Sequence, residues 1–457
     1  MINKDIKKRD ILDTFMLSIG ILATFSLIIL LLYKPLMEIR YIRAGNYYLE
    51  KNKIGDAQNS FKQALKINPS SSKARLKLGN TYYMQENYSS AITELERAIK
   101  IEPDNYESRF NLGMSYYEQG KLSEAITQLE QSILLKPNDF ESRYELGKAY
   151  YEQGKLNEAI KEFEEVIKIN PKHSDAYNRI GMVNFDKGKI DESIKDYEKS
   201  LVLNINNVDA HYNLGLAYAN QGNVHEAILQ FKDVLKYNPN NSKAHYNLAN
   251  LYYKENKFEE SVFEYKEYLE YDYTNALVHY KLGNALYNLG KIKDSIEEYN
   301  KAIKLDKNYS QILTQNLKQA QKLLIVQNNM NTFQAIVETF ANNYDNHYPF
   351  NIDILFDHAK KKNYWKEIKN PFTSQNSIHS ICLDNKVYKN MKKKQNIKGY
   401  IIYEPAGDRV NKLNKEFYLS YKIYGTDEKG ELLKDGAKIL SLSTNKLRLE
   451  PDTQYIR

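Results

Sequence analysis

The sequence predicts a mainly α-helical protein: a superhelix of eight helix–turn–helix repeats, with one transmembrane helix before it and a small α+β domain after it. Three observations predict this. A 34-residue unit recurs eight times from Glu38 to Tyr309 without insertion or deletion. An uncharged run of 20 residues rich in Leu and Ile, Thr14 to Tyr33, precedes it. After residue 331 the helical spacing of apolar residues gives way to period-two alternation. At 457 residues the chain is too long for one core, so several domains are expected. Its one Cys excludes an internal disulfide.

Residues 1–13 form a basic tail with Lys4, Lys7, Lys8 and Arg9. The span 14–33 is long enough to cross a lipid bilayer as a helix. A cleaved signal peptide is the alternative. Against it stand the length of the run and the lack of a small-residue cleavage site in Tyr33-Lys-Pro-Leu-Met37. The run has no polar face, which argues against a buried core helix. Lys34, Arg40, Arg43, Lys51 and Lys53 also flank the span, so the charge bias is small. The expected arrangement is a single-pass membrane protein with the bulk of the chain outside the cytoplasm. Pro35 fits the first turn of a new helix, so a break is expected near Lys34.

The repeats run 38–71, 72–105, 106–139, 140–173, 174–207, 208–241, 242–275 and 276–309. Their signature is a small residue, Tyr three later, then Ala or Ser, an aromatic or Leu, and often Pro. In the second copy these are Gly79, Tyr82, Ala91, Leu95, Ala98 and Pro103. The small residue recurs as Gly113, Gly147, Gly181, Gly215, Ala249 and Gly283. The pattern resembles the tetratricopeptide (TPR) repeat, a helix–turn–helix unit of this period. The resemblance implies paired amphipathic helices that bury their apolar faces on neighbours. It also implies a concave groove lined by the second, fifth, ninth and twelfth positions of each first helix. Pro is missing at Ile205, Tyr273 and Lys307, which blurs those boundaries.

At the fifth and twelfth positions the groove would present Phe110, Tyr117, Tyr144, Tyr151, Tyr212, Tyr246, Tyr253, Tyr280 and Tyr287. Such an aromatic stripe can be packing. Packing is the commoner role of a stripe at this spacing; the functional reading is a peptide-binding surface, because Tyr joins contact area to a hydroxyl. The carboxylate clamp of chaperone-binding relatives has only scattered counterparts here, Lys148, Asn80, Asn250 and Asn284. His211, His245 and His279 recur at the fourth position. Packed helices lie ~8–10 Å apart and zinc takes ligands at ~2 Å, so helix packing is expected of them rather than metal binding.

Residues 310–330 read as a helix capping the array. Residues 331–457 read as an α+β domain: a helix ending before Tyr348-Pro349, a loop with the one Trp, and alternating strands. It resembles the globular head of type IV pilins and type II secretion pseudopilins. It departs from them in lacking their leader Gly and helix Glu, so a processed, polymerised subunit is not expected. No Pro or Gly interrupts Tyr309 to Tyr344, which predicts one continuous helix shared by cap and head.

The formal net charge of +7 lies after Asn343, where 21 Lys+Arg face 14 Asp+Glu; the remainder is neutral. A neutral repeat array does not track phosphates, so nucleic acid is not an expected partner of the repeats. Lys389, Lys392, Lys393, Lys394 and Lys398 form a basic run, read either as a solvated loop or as a patch for DNA or a surface polymer. No phosphate loop, nucleophile elbow, His-Glu-x-x-His or paired Cys appears. The chain is therefore expected to be no enzyme and to need no cofactor, metal or small-molecule substrate. The expected function is a membrane-anchored interaction scaffold of the bacterial cell envelope, serving a pilus or secretion apparatus. The alternatives are a polyanion receptor on a repeat stalk, or a substrate-recruiting arm for an enzyme in trans.

Overall fold

The structure, a computed structural model, describes residues 33–343, residues 352–363 and the backbone of seven short strands between 348 and 451. The chain divides into two compact bodies, Met1–Asn223 and Val224–Arg457. In the first, a helix over 33–50 is followed by Ile54–Ile67, Ser72–Met84, Tyr88–Ile101, Tyr106–Glu118, Leu122–Leu135, Phe140–Glu152, Leu156–Ile169, Ser174–Asp186, Ile190–Leu203 and Val208–Gln221. The second holds Val224–Tyr237, Ser242–Lys254, Phe258–Tyr271, Ala276–Asn288, Ile292–Leu305, Tyr309–Asn342 and Ile352–Lys361.

Helix starts are set by the last residue of each repeat. Ser71, Asn105, Asp139, Asn207, Asn241 and Asn275 each accept a hydrogen bond from the backbone N–H three residues on. Such a cap contributes ~1 kcal/mol and fixes the phase of the helix. The caps at Asn207 and Asn275 explain why repeats that lack the Pro still start in register.

Within a repeat the two helices touch where the side chain is missing. A Cβ on Gly147 would lie 2.6 Å from the Phe163 ring, so no larger residue fits. Ala57, Ala91, Ala125, Ala159 and Ala227 are fully buried on the second helix. In the seventh and eighth repeats Ser replaces Ala and its hydroxyl finds a first-helix carbonyl: Ser261 Oγ donates to Ala249 O at 2.9 Å and Ser295 Oγ to Gly283 O at 2.8 Å. Ser193 in the fifth donates instead to Ile190 O of its own helix at 2.7 Å. The turn between the helices has a left-handed residue. Gly154 fills it at φ 80°, whereas the second repeat places Glu86 there at φ 58°.

A single helix, Tyr309–Asn342, follows the last repeat. Leu313 packs on Tyr299 and Ala302, and Gln327 Nε2 donates to Gly290 O at 3.0 Å. Further along, Phe333, Ile336, Val337 and Phe340 are buried, and the helix contacts the sheet. It runs unbroken through Gln327–Asn331, so the sequence boundary at 330/331 falls inside one element.

The strands are β1 (Tyr348–Pro349), β2 (Cys382–Asp384), β3 (Ile401–Lys412), β4 (Lys415–Gly425), β5 (Lys434–Asp435), β6 (Lys438–Ser443) and β7 (Lys446–Pro451). Their order is β2-β3-β4-β6-β5, with β1 on β4 and β7 on β6. All pairs are antiparallel except β2 with β3. β6 and β7 form the last antiparallel pair.

Two expectations meet the N-terminal helix. Lys34, where a break was predicted, is helical, and the helix runs through Pro35. The predicted span 14–33 lies outside the described residues except for Tyr33. Among the described residues no helix is long and apolar enough to cross a membrane.

Candidate functional site

Within each body, first helices of successive repeats lie side by side, and two rows of hydrogen bonds define the face they share. In one row, position five meets position six of the next repeat. Arg179 Nε donates to the Tyr144 hydroxyl at 3.3 Å, and Asn213 Nδ2 to Asn178 Oδ1 at 3.0 Å. In the other, position twelve meets position thirteen. The Tyr151 hydroxyl donates to Asp186, and the Tyr83 hydroxyl to Glu118 Oε1 at 3.5 Å. The second body repeats this row, with Asn288 Nδ2 donating to the Tyr253 hydroxyl at 2.9 Å.

All nine predicted groove aromatics are half-buried. Phe110 and Tyr117 pack on Ile126 and Leu129, and Tyr144 and Tyr151 on Phe163 and Ile180. Tyr246 and Tyr253 pack on Tyr265 and Leu282, and Tyr280 on Tyr299. Tyr212 belongs to the first body; Tyr287 lines a cavity of about 110 Å³ with Asn284, Asn288 and Asn316. The stripe is therefore packing on one side of each ring and surface on the other. The basic run Lys389–Lys398 lies outside the described residues.

Charge divides the stripe. At positions two, six, nine and thirteen, repeats three to five carry seven carboxylates and two cations. Repeats seven and eight carry no carboxylate there and three lysines, Lys243, Lys254 and Lys281. Hydroxyls in and next to the first set feel this. Burial, then the Asp186 carboxylate, pushes Tyr151 up to about 12; burial, then Glu118, does the same to Tyr83. Tyr117 is also raised, by burial and then by Glu152 and Glu145. Both cations of this face are already held. Lys148 Nζ lies 2.7 Å from Glu145 and 5.2 Å from the Tyr117 ring centre, and Arg179 is bound to Tyr144. Asn250 and Asn284 are engaged as well, accepting from the Tyr265 and Tyr299 hydroxyls at 2.8 Å.

Position four holds a clamp. Arg75 reaches Pro69 O and Glu94, both at 2.7 Å, and Arg143 reaches Pro137 O at 3.1 Å and Glu162 at 2.8 Å. His245 and His279 occupy the same slot: Nδ1 meets Glu264 or Glu298 at 2.6 Å, and Nε2 meets Pro239 O or Tyr273 O at 3.0 Å. Both ring nitrogens face acceptors, so the clamp is complete when the ring is doubly protonated. Burial lowers the His245 pKa, but the Glu264 and Pro239 hydrogen bonds outweigh it, and the net shift is upward. These histidines are thus spoken for by packing contacts rather than turned toward one another.

Family models for the tetratricopeptide repeat match residues 48–114, 147–188, 181–222, 212–269, 249–290 and 276–309. The chain is a TPR protein. A model described as anaphase-promoting complex, cyclosome, subunit 3 also matches TPR residues 84–166. No curated protein matches the chain. Among solved structures, MamA is 28% identical over 36% of this chain and 97% of its own, with a TM-score of 0.34. YrrB, titled a TPR protein with an unusual peptide-binding site, is 18% identical over 40% of this chain and 95% of its own, at 0.35. Pseudomonas aeruginosa pilF is 17% identical over 44% and 91%, at 0.40.

Two features of the TPR face were legible in the sequence but not read from it. One is the pairing of positions five and twelve with residues 35 further on, as in Tyr144–Arg179 and Tyr151–Asp186. The other is the clamp, a cation or His followed 19 residues later by Glu in Arg75–Glu94, Arg143–Glu162, His245–Glu264 and His279–Glu298. Both are spacings longer than a helix, visible only when repeats are laid over one another.

Proposed function

We propose that this TPR chain is a protein-binding scaffold of the bacterial cell envelope and not an enzyme. One observation carries the reading: within each body, half-buried tyrosines from successive first helices share a hydrogen-bonded face. A surface of aromatic rings with positioned hydroxyls suits a polypeptide ligand. Residues 14–33 would hold the scaffold at a membrane, with the repeats outside the cytoplasm; uncharged length and basic flank support that. The likeness of residues 331–457 to pilin heads makes a pilus or secretion assembly the partner class for that end.

A photo-crosslinking residue placed at Tyr151 tests the reading. It should yield partner adducts in cells, while the same residue at the exposed Leu134 on a second helix should not. Equal labelling at both sites, or none at Tyr151, contradicts it.

A further inference from the structure

We infer that the face of repeats three to five takes a basic, extended segment of a partner protein; this rests on the protein-binding reading above and names the chemistry of the ligand. The argument is charge complementarity with an internal precedent. Glu118, Glu152 and Asp186 are exposed beside the Tyr117 and Tyr151 rings. Among the described residues no ion pair neutralises any of the three. Next to them the protein shows how a cation is held on this face. Lys148 Nζ bonds Glu145 at 2.7 Å and lies 5.2 and 6.0 Å from the centres of the Tyr117 and Tyr144 rings. A carboxylate and tyrosine rings around one ammonium is a cation–π and ion-pair cradle. Position nine of the third and fifth repeats is Met114 and Met182, and position six is Asn111 and Arg179, so neither repeat has a lysine of its own at position nine. A ligand Lys or Arg would meet the exposed carboxylates Glu118, Glu152 and Asp186 beside the tyrosine rings.

The spacing of the ligand follows from geometry. Neighbouring helices lie ~8–10 Å apart, and an extended chain advances ~3.3 Å per residue. A cation at every third residue therefore meets one repeat each. The face of repeats seven and eight, with Lys243, Lys254 and Lys281 and no carboxylate at the same positions, would repel such a segment.

The probe is a fluorescent peptide of about twelve residues with Lys at every third position among Ser and Gly, the length needed to cross three repeats. Its control carries Glu in place of Lys. Anisotropy is measured against the full chain. The Lys peptide should bind, and more weakly as salt rises. The triple variant Glu118→Gln, Glu152→Gln, Asp186→Asn should weaken it about tenfold, three exposed pairs acting together. These carboxamides keep shape, and circular dichroism should show unchanged helix content. The triple variant Lys243→Ala, Lys254→Ala, Lys281→Ala should not weaken it. Equal affinity of the triple carboxamide variant, or tighter binding of the Glu peptide, overturns the basic-ligand inference. If the Glu peptide binds and Tyr117→Ala abolishes that binding, the protein-binding face stands and only its charge preference falls. If neither peptide binds, both readings fall at this face.

Discussion

Repeats three to five and repeats seven and eight are built on one frame and finished differently. In both sets a first-helix Gly is closed by an aromatic ring, Gly147 by Phe163 and Gly283 by Tyr299. Both cap their first helices alike, as at Asp139 and Asn275. Yet the shared face is carboxylate-rich in one set and lysine–asparagine in the other. The position-four clamp is arginine in the third and fourth repeats and histidine in the seventh and eighth. The difference teaches which positions the solenoid leaves free. Buried contacts tolerate little change in volume, so they repeat. Positions two, six, nine and thirteen are exposed or half-buried rather than part of the buried core, and it is there that the repeats diverge in charge.

The frame is where the largest effects should lie. Gly147→Leu and Gly283→Leu drive a side chain into an aromatic ring and should each cost about 3 kcal/mol. Because repeats contact only neighbours, hydrogen-exchange protection should fall in adjacent repeats alone. A uniform loss across either body would break the idea of a modular frame.

Removing the clamp should cost less. Arg143→Ala and His245→Ala each strand a largely buried carboxylate, Glu162 or Glu264, at about 2 kcal/mol, reduced from a fully buried pair by partial exposure. Equal losses at neutral pH, read from chemical denaturation, would show that the two clamps are equivalent when charged.

The pH dependence should then separate them. The His245 pKa is raised in the folded chain above its ordinary 6.5. A raised pKa contributes stability that is fully present below about 6.5 and is lost as pH rises through the folded value. Glu264 and Glu267 face this ring and hold the proton. Exchange protection in Ser242–Lys254 should therefore decline as pH rises from 6 into the alkaline range, after correction for intrinsic exchange. Arginine stays charged throughout, so Phe140–Glu152 should not show this decline. His245→Arg should abolish the pH effect.

The smallest effect concerns the turn. Glu86 sits at φ 58° where the next three repeats have Gly. Glu86→Gly should stabilise by about 0.5–1 kcal/mol, seen as a raised melting temperature. A loss would mean that Glu86 makes a contact worth more than its strain.

Much of this architecture was legible in the sequence. The 34-residue period, the eight repeats and the unbroken Tyr309–Asn342 helix follow from local signals: Gly and Ala spacing, caps, and the absence of Pro and Gly. The nine aromatics were legible as a stripe, but whether they pack or face solvent was not. Each ring does both, and that depends on the neighbouring repeat. The rows Tyr144–Arg179 and Tyr151–Asp186 and the clamp His245–Glu264 were missed because their partners lie 19 or 35 residues apart, beyond the reach of helical periodicity. Position four looked like a place for bulk; its role is to bind a carboxylate and the preceding repeat's carbonyl at once.

The central claim is that one face of this scaffold, repeats three to five, is its docking surface. Hydrogen exchange of the full chain with and without the Lys peptide tests it most directly. Added protection should map to Tyr106–Glu118, Phe140–Glu152 and Ser174–Asp186, and leave Ser242–Lys254 and Ala276–Asn288 unchanged. Protection confined to the latter pair, or spread evenly over both sets, would contradict it.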